Sequence, residues 1–226
     1  MLIRIVQRNE SNLETKQQIE ALGRQAVVYT ADLGSQADVE GLTKRILDDG
    51  HDFSVLVTCA GIQRRHPAHQ FPMNDWHDVL QVNLTTVWTL CRDMGAYMLT
   101  RKPDPVNGQR GSIINVASLT SFQGGITVPA YAAAKGGIGQ LTKALSNEWI
   151  SKGVNVNAIA PGYIATDMNE ALINNPERAD AILSRIPAGR WGNPDDFKAP
   201  TIFLASPGSL YVSGELLTVD GGWMGR

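Results

Sequence analysis

The 226-residue sequence has little cysteine and no long apolar run. Its two cysteines, Cys59 and Cys91, can form neither a disulfide framework nor a set with the spacing of metal ligands. No apolar stretch approaches the roughly 20 residues that cross a bilayer, and the short run 2–6 contains an arginine and does not resemble a signal peptide. We therefore expect a cytoplasmic protein with reduced cysteines, no bound metal and no membrane partner.

The sequence also lacks an excess of charge of either sign. It contains 20 Lys and Arg against 22 Asp and Glu, so it has no basic surplus with which to displace counterions from nucleic acid. A hydrophobic share of 43% and a charged share of 19% are ordinary for a globular protein and exclude disorder as the main state. Without repeats or a recognisable linker, residues 1–226 are predicted to form one domain that binds a small molecule and no nucleic acid.

Apolar runs with strand character alternate with segments of helical periodicity along nearly the whole chain. This alternation predicts an α/β fold of the Rossmann type, a doubly wound parallel sheet with helices on both faces, although the usual first βα unit is missing. Ser11 and Glu14 have the spacing of a capping box, and the apolar run 53–58 predicts a strand covered on both faces. The predicted strands are 2–6, 26–30, 53–58, 112–116, 154–159 and 215–219, and the later predicted helices lie within 73–100, 130–151, 167–185 and 194–205.

Ligands bind such sheets beyond the carboxyl ends of the strands, so residues that follow strands are the first candidates for a site. Ser118 follows the fourth predicted strand, and the next helix carries Tyr131 and Lys135 on one face, at i and i+4. An ammonium group beside a phenol favours the phenolate, so we expect Lys135 to lower the pKa of Tyr131 from about 10. Such a phenol can exchange a proton with an alcohol or ketone oxygen that Ser118 also contacts, and Asn83 can join a relay through water.

Asn83, Ser118 and Tyr131-x-x-x-Lys135, in this order, resemble the classical short-chain dehydrogenase/reductase family. The resemblance covers nearly the whole chain and implies oxidation of a secondary alcohol with NAD or NADP, or the reverse reaction. It implies that Tyr131 is the acid/base and that Lys135 holds the nicotinamide ribose. Ser118 would orient the substrate carbonyl, and Asn83 would hold the relay water. Further matches are Asp32-Leu33, Ala60-Gly61, the segment 161–166 and the segment 219–222.

The resemblance also implies a cofactor site along the strand ends. Asp32 would lie near the adenine, although it also fits an ordinary turn residue. Arg8 suits the 2′-phosphate of NADP, although it also fits a surface charge. The residues expected to contact NAD or NADP are Arg8, Asp32, Leu33, Cys59, Ala60, Gly61, Asn83, Tyr131, Lys135, Pro161, Gly162, Ile164 and Thr166.

Residues 61–65 and 186–196 are similar to family members that oxidise 2-deoxy-D-gluconate at the 3-position. Arg64 and Arg65 follow the third predicted strand, and a guanidinium group suits the carboxylate of a sugar acid. The alternative is a solvated pair of charges with no ligand. Arg64 and Arg65 are therefore the candidate substrate-binding residues.

One feature of the family is absent from the 226 residues. Family members begin with a strand and a T-G-x-x-x-G-x-G turn, which brings backbone N–H groups to the cofactor pyrophosphate. Without that strand, the first two strands have no obvious neighbour in the sheet, and we expect an N-terminally truncated product or a mistaken gene model. Cys59 also stands where the family often has Asn, whose side-chain amide a thiol cannot replace.

Two other functions stay open. One is a different short-chain reductase, acting on a 3-oxoacyl thioester or a polyol, which the segment 167–190 would decide. The other is a non-catalytic fragment that binds related subunits through the helices of 73–100. In this family those helices resemble the pair that forms a four-helix subunit interface, so a homotetramer is expected.

Overall fold

The structure is a computed structural model that describes residues 2–11 and 13–226. The chain divides into two compact units, a first that ends at Asp52 and a second that spans Phe53–Arg226. Each unit has its own parallel sheet, of two strands in the first and four in the second. Parallel strands that alternate with helices confirm the predicted α/β class, while the single domain over residues 1–226 stays a prediction.

Strands and helices follow one another nearly as predicted, with boundaries that differ by a few residues. The strands of the described residues are β1 (Leu2–Gln7), β2 (Gln25–Thr30), β3 (Val55–Thr58), β4 (Gly111–Val116), β5 (Val154–Pro161) and β6 (Leu216–Val219). The α-helices of the same residues are α1 (Glu14–Ala21), α2 (Gln36–Glu40), α3 (Leu42–Asp48), α4 (Met73–Leu80), α5 (Thr86–Thr100), α6 (Pro129–Trp149), α7 (Glu170–Ile173), α8 (Pro176–Leu183) and α9 (Lys198–Ala205).

The first unit has a small apolar core. β1 and β2 pair in parallel along their full length. The helical segment after β2 buries Val39, Leu42 and Ile46, and it breaks at Gly41 into α2 and α3. By contrast, α1 buries none of its residues, so it adds little apolar burial to this unit.

The predicted capping box at the start of α1 is wrong. The helix begins after Leu13 and has no side-chain cap. The backbone N–H and the hydroxyl of Ser11 both hydrogen-bond to Oδ1 of Asn9. A Ser side chain often bonds to a nearby turn in this way, and that local alternative competes with capping here.

The second unit is built on a four-stranded sheet with the order β3-β4-β5-β6, in which all neighbours are parallel. Residues 111–115 of β4 and 154–160 of β5 are buried without exception. This burial is expected for central strands that have helices on both faces. The helix α6, which begins with Pro129 in its first turn, packs against β5 and carries the residues of the candidate site.

The prediction that the strand at 53–58 is covered on both faces is wrong. β3 shows an alternating pattern in which Leu56 and Thr58 are buried, whereas Val55 and Val57 are 39% and 43% exposed. Among the described residues, β3 pairs only with β4 and forms an edge of its sheet. A continuous apolar run can therefore occur in a strand that has one open face.

The helical stretch predicted for residues 73–100 is not a single α-helix. A π-helical turn, Gln81–Thr85, joins α4 to α5 and contains the fully buried Asn83. Such turns insert an extra residue into the helix and occur frequently at functional sites. Periodicity could not reveal it, since the apolar pattern continues on both sides of the insertion.

Candidate functional site

A cavity of about 1100 Å³ opens in the second unit beyond the carboxyl ends of the strands. Cys59 follows β3, Ser118 follows β4, and Pro161 and Gly162 lie at the end of β5, and all four line the cavity. This is the edge at which parallel α/β sheets bind ligands. The second unit by itself therefore holds a site of the size that small-molecule ligands occupy.

Tyr131 and Ser118 meet at this cavity. Tyr131 lies in the first turn of α6, hydrogen-bonds to Ser118 and is half-buried. Burial raises the pKa of Tyr131, while the hydrogen bond from Ser118 and the positive charge of Arg65 oppose that rise. At neutral pH the phenol therefore keeps its proton, which it can donate to an oxygen in the cavity.

Ser118 is held in place by the short 3-10 helix Leu119–Ser121. Its Oγ accepts a hydrogen bond from the Thr120 backbone N–H at 3.2 Å, and its own N–H donates to Ser121 Oγ. Ser121 in turn donates its hydroxyl to the carbonyl oxygen of Lys135 at 2.6 Å. This chain of bonds ties the end of β4 to α6, the helix that carries Tyr131.

Lys135 is a buried cation at the same site. Its side chain is almost inaccessible, and Nζ donates to the carbonyl oxygen of Val116 at 2.6 Å. Burial lowers the pKa of Lys135 to about 8, and the nearby Cys59 thiol partly opposes this shift. An ammonium group has three N–H donors, so donors remain for a ligand in the cavity that Lys135 lines.

The expectation that Lys135 lowers the pKa of Tyr131 is wrong in this structure. The Lys135 ammonium lies 5.7 Å from the centroid of the Tyr131 ring, and the pKa of the phenol is raised. The physical reason is that removing the phenolate from water costs more than the Ser118 hydrogen bond and the positive charge of Arg65 return. The arrangement of the two residues at i and i+4 is nevertheless the predicted one.

Asn83 clamps the loop after β3. Its Nδ2 donates to the carbonyl oxygen of Ile62 at 2.7 Å, and its Oδ1 accepts from the Ile62 N–H at 2.8 Å. The π-helical turn places this amide opposite the loop backbone, so Asn83 orients residues that lead into the cavity. Its role in holding a relay water stays a prediction.

The nicotinamide end of a cofactor fits the residues of the second unit. A Cβ atom added to Gly61 would lie 3.3 Å from Asn83 Oδ1 and 3.9 Å from Lys135 Nζ, so the glycine keeps open the space beside these polar groups. The Lys135 donors suit the hydroxyls of a ribose. Of the residues expected to contact the cofactor, those that line the cavity are Cys59, Gly61, Tyr131, Lys135, Pro161, Gly162, Ile164 and Thr166, whereas Ala60 and Asn83 do not.

Three expected cofactor residues belong to the first unit. Arg8 Nη2 and Asp32 Oδ2 form an exposed ion pair at 3.2 Å, and Asp32 Oδ1 accepts from the N–H of Gly34. Asp32 thus occupies the turn position that was its alternative interpretation. Contacts of Arg8, Asp32 and Leu33 with a cofactor stay predictions, and the sequence contains no glycine-rich turn for the pyrophosphate.

The two adjacent arginines point to different partners. Arg65 lines the cavity and donates to Gln63 Oε1 at 2.6 Å, whereas Arg64 Nε lies 3.7 Å from Asp75 Oδ1 and does not line the cavity. Asp75 also contacts His66 at 2.6 Å. Only Arg65 is therefore placed to meet a ligand, because successive residues of an extended segment face opposite sides.

Sequence reasoning missed several cavity residues, of which two arginines come from the segment after β5. Arg178 and Arg185 line the cavity, and the Arg185 guanidinium lies 4.0 Å from the centroid of a Trp223 ring. Gln123 also lines it and accepts a hydrogen bond from Trp223 Nε1. No motif marks these residues, since they meet only after the chain has folded.

Comparison with known proteins agrees with this geometry. A family model of the short-chain dehydrogenase type, described as enoyl-(acyl carrier protein) reductase, matches residues 2–224. The chain belongs to the short-chain dehydrogenase/reductase family. Family membership confirms the predicted oxidoreductase class and the use of NAD or NADP.

The relatives within this family are sugar-acid dehydrogenases by name. A 2-dehydro-3-deoxy-D-gluconate 5-dehydrogenase of Pseudoalteromonas atlantica is 50% identical over 213 residues, which cover 94% of this chain and 81% of that protein. Among solved structures, a candidate 2-deoxy-D-gluconate 3-dehydrogenase of Agrobacterium tumefaciens with bound NADP is 41% identical with a TM-score of 0.90. The alignment covers 100% of this chain and 87% of that one.

A second solved structure that resembles this chain is also described as a sugar-acid dehydrogenase with NADP. A candidate NAD(P)-dependent gluconate 5-dehydrogenase of Beutenbergia cavernae, with NADP bound at low occupancy, is 40% identical with a TM-score of 0.91. The alignment covers 98% of this chain and 86% of that chain.

No helix among residues 2–11 and 13–226 combines the length and apolar character of a membrane span. The cytoplasmic location stays a prediction.

Proposed function

We propose that this protein is an NADP-dependent dehydrogenase of a six-carbon sugar acid and that it oxidises 2-dehydro-3-deoxy-D-gluconate at carbon 5. The observation that carries the proposal is the meeting of Tyr131, Ser118 and Arg65 at one cavity. A proton donor, a hydroxyl and a guanidinium group suit a substrate with a carbonyl or alcohol at one position and a carboxylate at another.

Tyr131, Ser118 and Lys135 each have a defined role in the proposed reaction. In the direction of reduction, the Tyr131 phenol donates its proton to the substrate oxygen, which Ser118 holds by a hydrogen bond. In the direction of oxidation, the Tyr131 phenolate accepts the proton of the substrate hydroxyl. Lys135 donates to the ribose of the cofactor and holds it next to Tyr131. When it is bound, the nicotinamide group supplies or accepts the hydride.

The choice of NADP is supported by two solved relatives whose descriptions include it. The choice of carbon 5 is supported by the name of the 50% identical relative. A second candidate, oxidation of 2-deoxy-D-gluconate at carbon 3, is the original expectation and matches the name of a solved relative that is 41% identical. The two substrates are different acids: the first has a ketone at carbon 2 and a methylene at carbon 3, whereas the second has a methylene at carbon 2 and a hydroxyl at carbon 3.

The test uses the purified full chain with NADP⁺ and each acid in turn. Nicotinamide absorbance measures turnover, and NMR of the product identifies the carbon that was oxidised. We expect turnover of 2-dehydro-3-deoxy-D-gluconate with a new carbonyl at carbon 5. Turnover of 2-deoxy-D-gluconate instead, with a new carbonyl at carbon 3, would favour the second candidate, while turnover of neither acid, despite saturable binding of NADPH, would reject both.

We also propose that the chain assembles as a homotetramer. Met73 of α4 and Trp88 of α5 are 61% and 41% exposed, and exposed large apolar side chains favour contact between subunits. Sedimentation equilibrium measures the state directly. A monomer at all accessible concentrations would contradict this proposal without affecting the chemistry of the cavity.

A further inference from the structure

Helix α8 presents one face to the cavity. Residues 178, 181 and 182 have the spacing i, i+3 and i+4 and line it, and Arg185, which follows the helix, lines it as well. Asn175 Oδ1 accepts the backbone N–H of Arg178 at 3.1 Å and caps the helix. Ile182 is buried in a cluster with Leu172 and Trp223. The face that carries Arg178 is therefore fixed at both ends.

Arg178 is a cation without a protein counterion. Among residues 2–11 and 13–226, no ion pair or side-chain hydrogen bond is formed by its guanidinium, although Glu177 also lines the cavity. Arg190, by contrast, makes two hydrogen bonds of 2.8 Å to the carboxylate of Asp196. An arginine that is left unpaired at a cavity is available for an anionic ligand.

Arg178 also lies close enough to Arg65 to act on its charge. The pKa of the Arg65 guanidinium is lowered, first by burial and then by the positive charge of Arg178. Two cations that face one cavity repel each other, and a bound anion removes that repulsion. The charge of Arg65 also acts on Tyr131, so an anion held here lies near the proton donor.

Arg185 does not meet the same conditions. Its guanidinium stacks at 4.0 Å on the ring of Trp223, which occupies the cation in another contact. We propose that Arg178 is a specificity-determining residue that binds, together with Arg65, the carboxylate of the substrate. This inference rests on the proposed function, because it names the group that selects a sugar acid over a neutral sugar.

The kinetic test compares Arg178→Gln with wild type on 2-dehydro-3-deoxy-D-gluconate and on its uncharged amide. Loss of one charge-assisted contact predicts a KM for the acid that is higher by about tenfold, with kcat little changed. The KM for the amide stays the same, and Arg178→Lys restores part of the affinity for the acid. The matched control is Asp180→Asn, which changes one charge on the same helix outside the cavity and leaves both KM values unchanged.

Direct binding separates this inference from the proposed function. Calorimetry of the full chain with D-gluconate needs no turnover, and we expect weaker binding by Arg178→Gln than by wild type, with equal melting temperatures. If neither acid is turned over but this difference is seen, the proposed reaction fails and the carboxylate site stands.

Four results would overturn the carboxylate site. They are no binding of gluconate by wild type, equal binding by the variant, an equal rise in KM for acid and amide, and binding of inorganic phosphate as tight as that of gluconate. The last result would indicate a general anion site.

Discussion

The two units of the chain differ in how much of their sheet is buried. In the second unit, seven successive positions of β5, residues 154–160, are buried, and α6 brings Tyr131 and Lys135 to the end of this sheet. In the first unit, the two-stranded sheet has a helix, α1, with no buried residue, and Leu22 after it is 79% exposed. The chemistry of the site thus lies on the well-buried scaffold, and changes in the second unit should have far larger effects than changes in the first.

The largest effect is expected for Tyr131→Phe, which removes the proton donor and keeps the ring. We expect kcat to fall by about 10²–10⁴-fold, because general acid–base catalysis contributes about this much. Binding of NADPH, measured by nicotinamide fluorescence, should change little. Tyr211→Phe, at a fully exposed tyrosine, is the control. Retention of most of the turnover by Tyr131→Phe would remove Tyr131 from its proposed role.

Lys135→Met should stabilise the fold at pH 7 while it abolishes activity. The folded pKa of Lys135 is about 8, below the ordinary 10.5, so the unfolded chain binds more protons between these values. The contribution of Lys135 to the free energy of unfolding of the wild type therefore rises as the pH increases from about 8 to 10.5. At pH 7, Lys135 is charged in both states, and its burial destabilises the folded protein to the full extent.

Removing that charge should raise the free energy of unfolding at pH 7 by about 1–3 kcal/mol, in urea titrations. The gain should shrink as the pH approaches 10. Lys143→Met, at an exposed lysine of the same helix, supplies the comparison. A gain independent of pH would show that apolar packing, and not the charge, is responsible.

Two glycines of the second unit should respond to alanine with opposite sign. A Cβ on Gly162 would lie 2.6 Å from Asp220 Cα, so Gly162→Ala should destabilise by about 1–3 kcal/mol. A Cβ on Gly136 in α6 meets nothing within 4 Å, so Gly136→Ala should stabilise by up to about 1 kcal/mol. Melting temperatures of the two variants decide this, and equal shifts would contradict the packing argument.

The smallest effect on stability is expected in the first unit, for Arg8→Ala. Its ion pair with Asp32 is exposed on both sides, so its loss should change stability by less than about 0.5 kcal/mol. If Arg8 binds the 2′-phosphate, NADPH should lose affinity relative to NADH in fluorescence titrations. An unchanged ratio of the two affinities would leave Arg8 as a surface charge.

Local patterns were sufficient for most of the fold and for the spacing of the site. The strand–helix alternation predicted the sheet strands, and the spacing of Tyr131 and Lys135 predicted their common helix face. The sign of the Tyr131 pKa shift could not be predicted, because it depends on burial by distant residues. The separation of Arg64 from Arg65 depends on Asp75, eleven residues after Arg64 along the chain, and the exposure of Val57 depends on which strands pair.

The π-helical turn around Asn83 sets a rotational phase between α4 and α5. Each residue of an α-helix turns its side chain by about 100°, so one inserted residue lets the buried Val79 before the turn and the buried Val87 after it both face the interior. Deletion of a single residue from this turn would rotate one helix relative to the other by that angle. It would expose one of the two valines and release the clamp on Ile62, although no residue of the cavity lining had been changed.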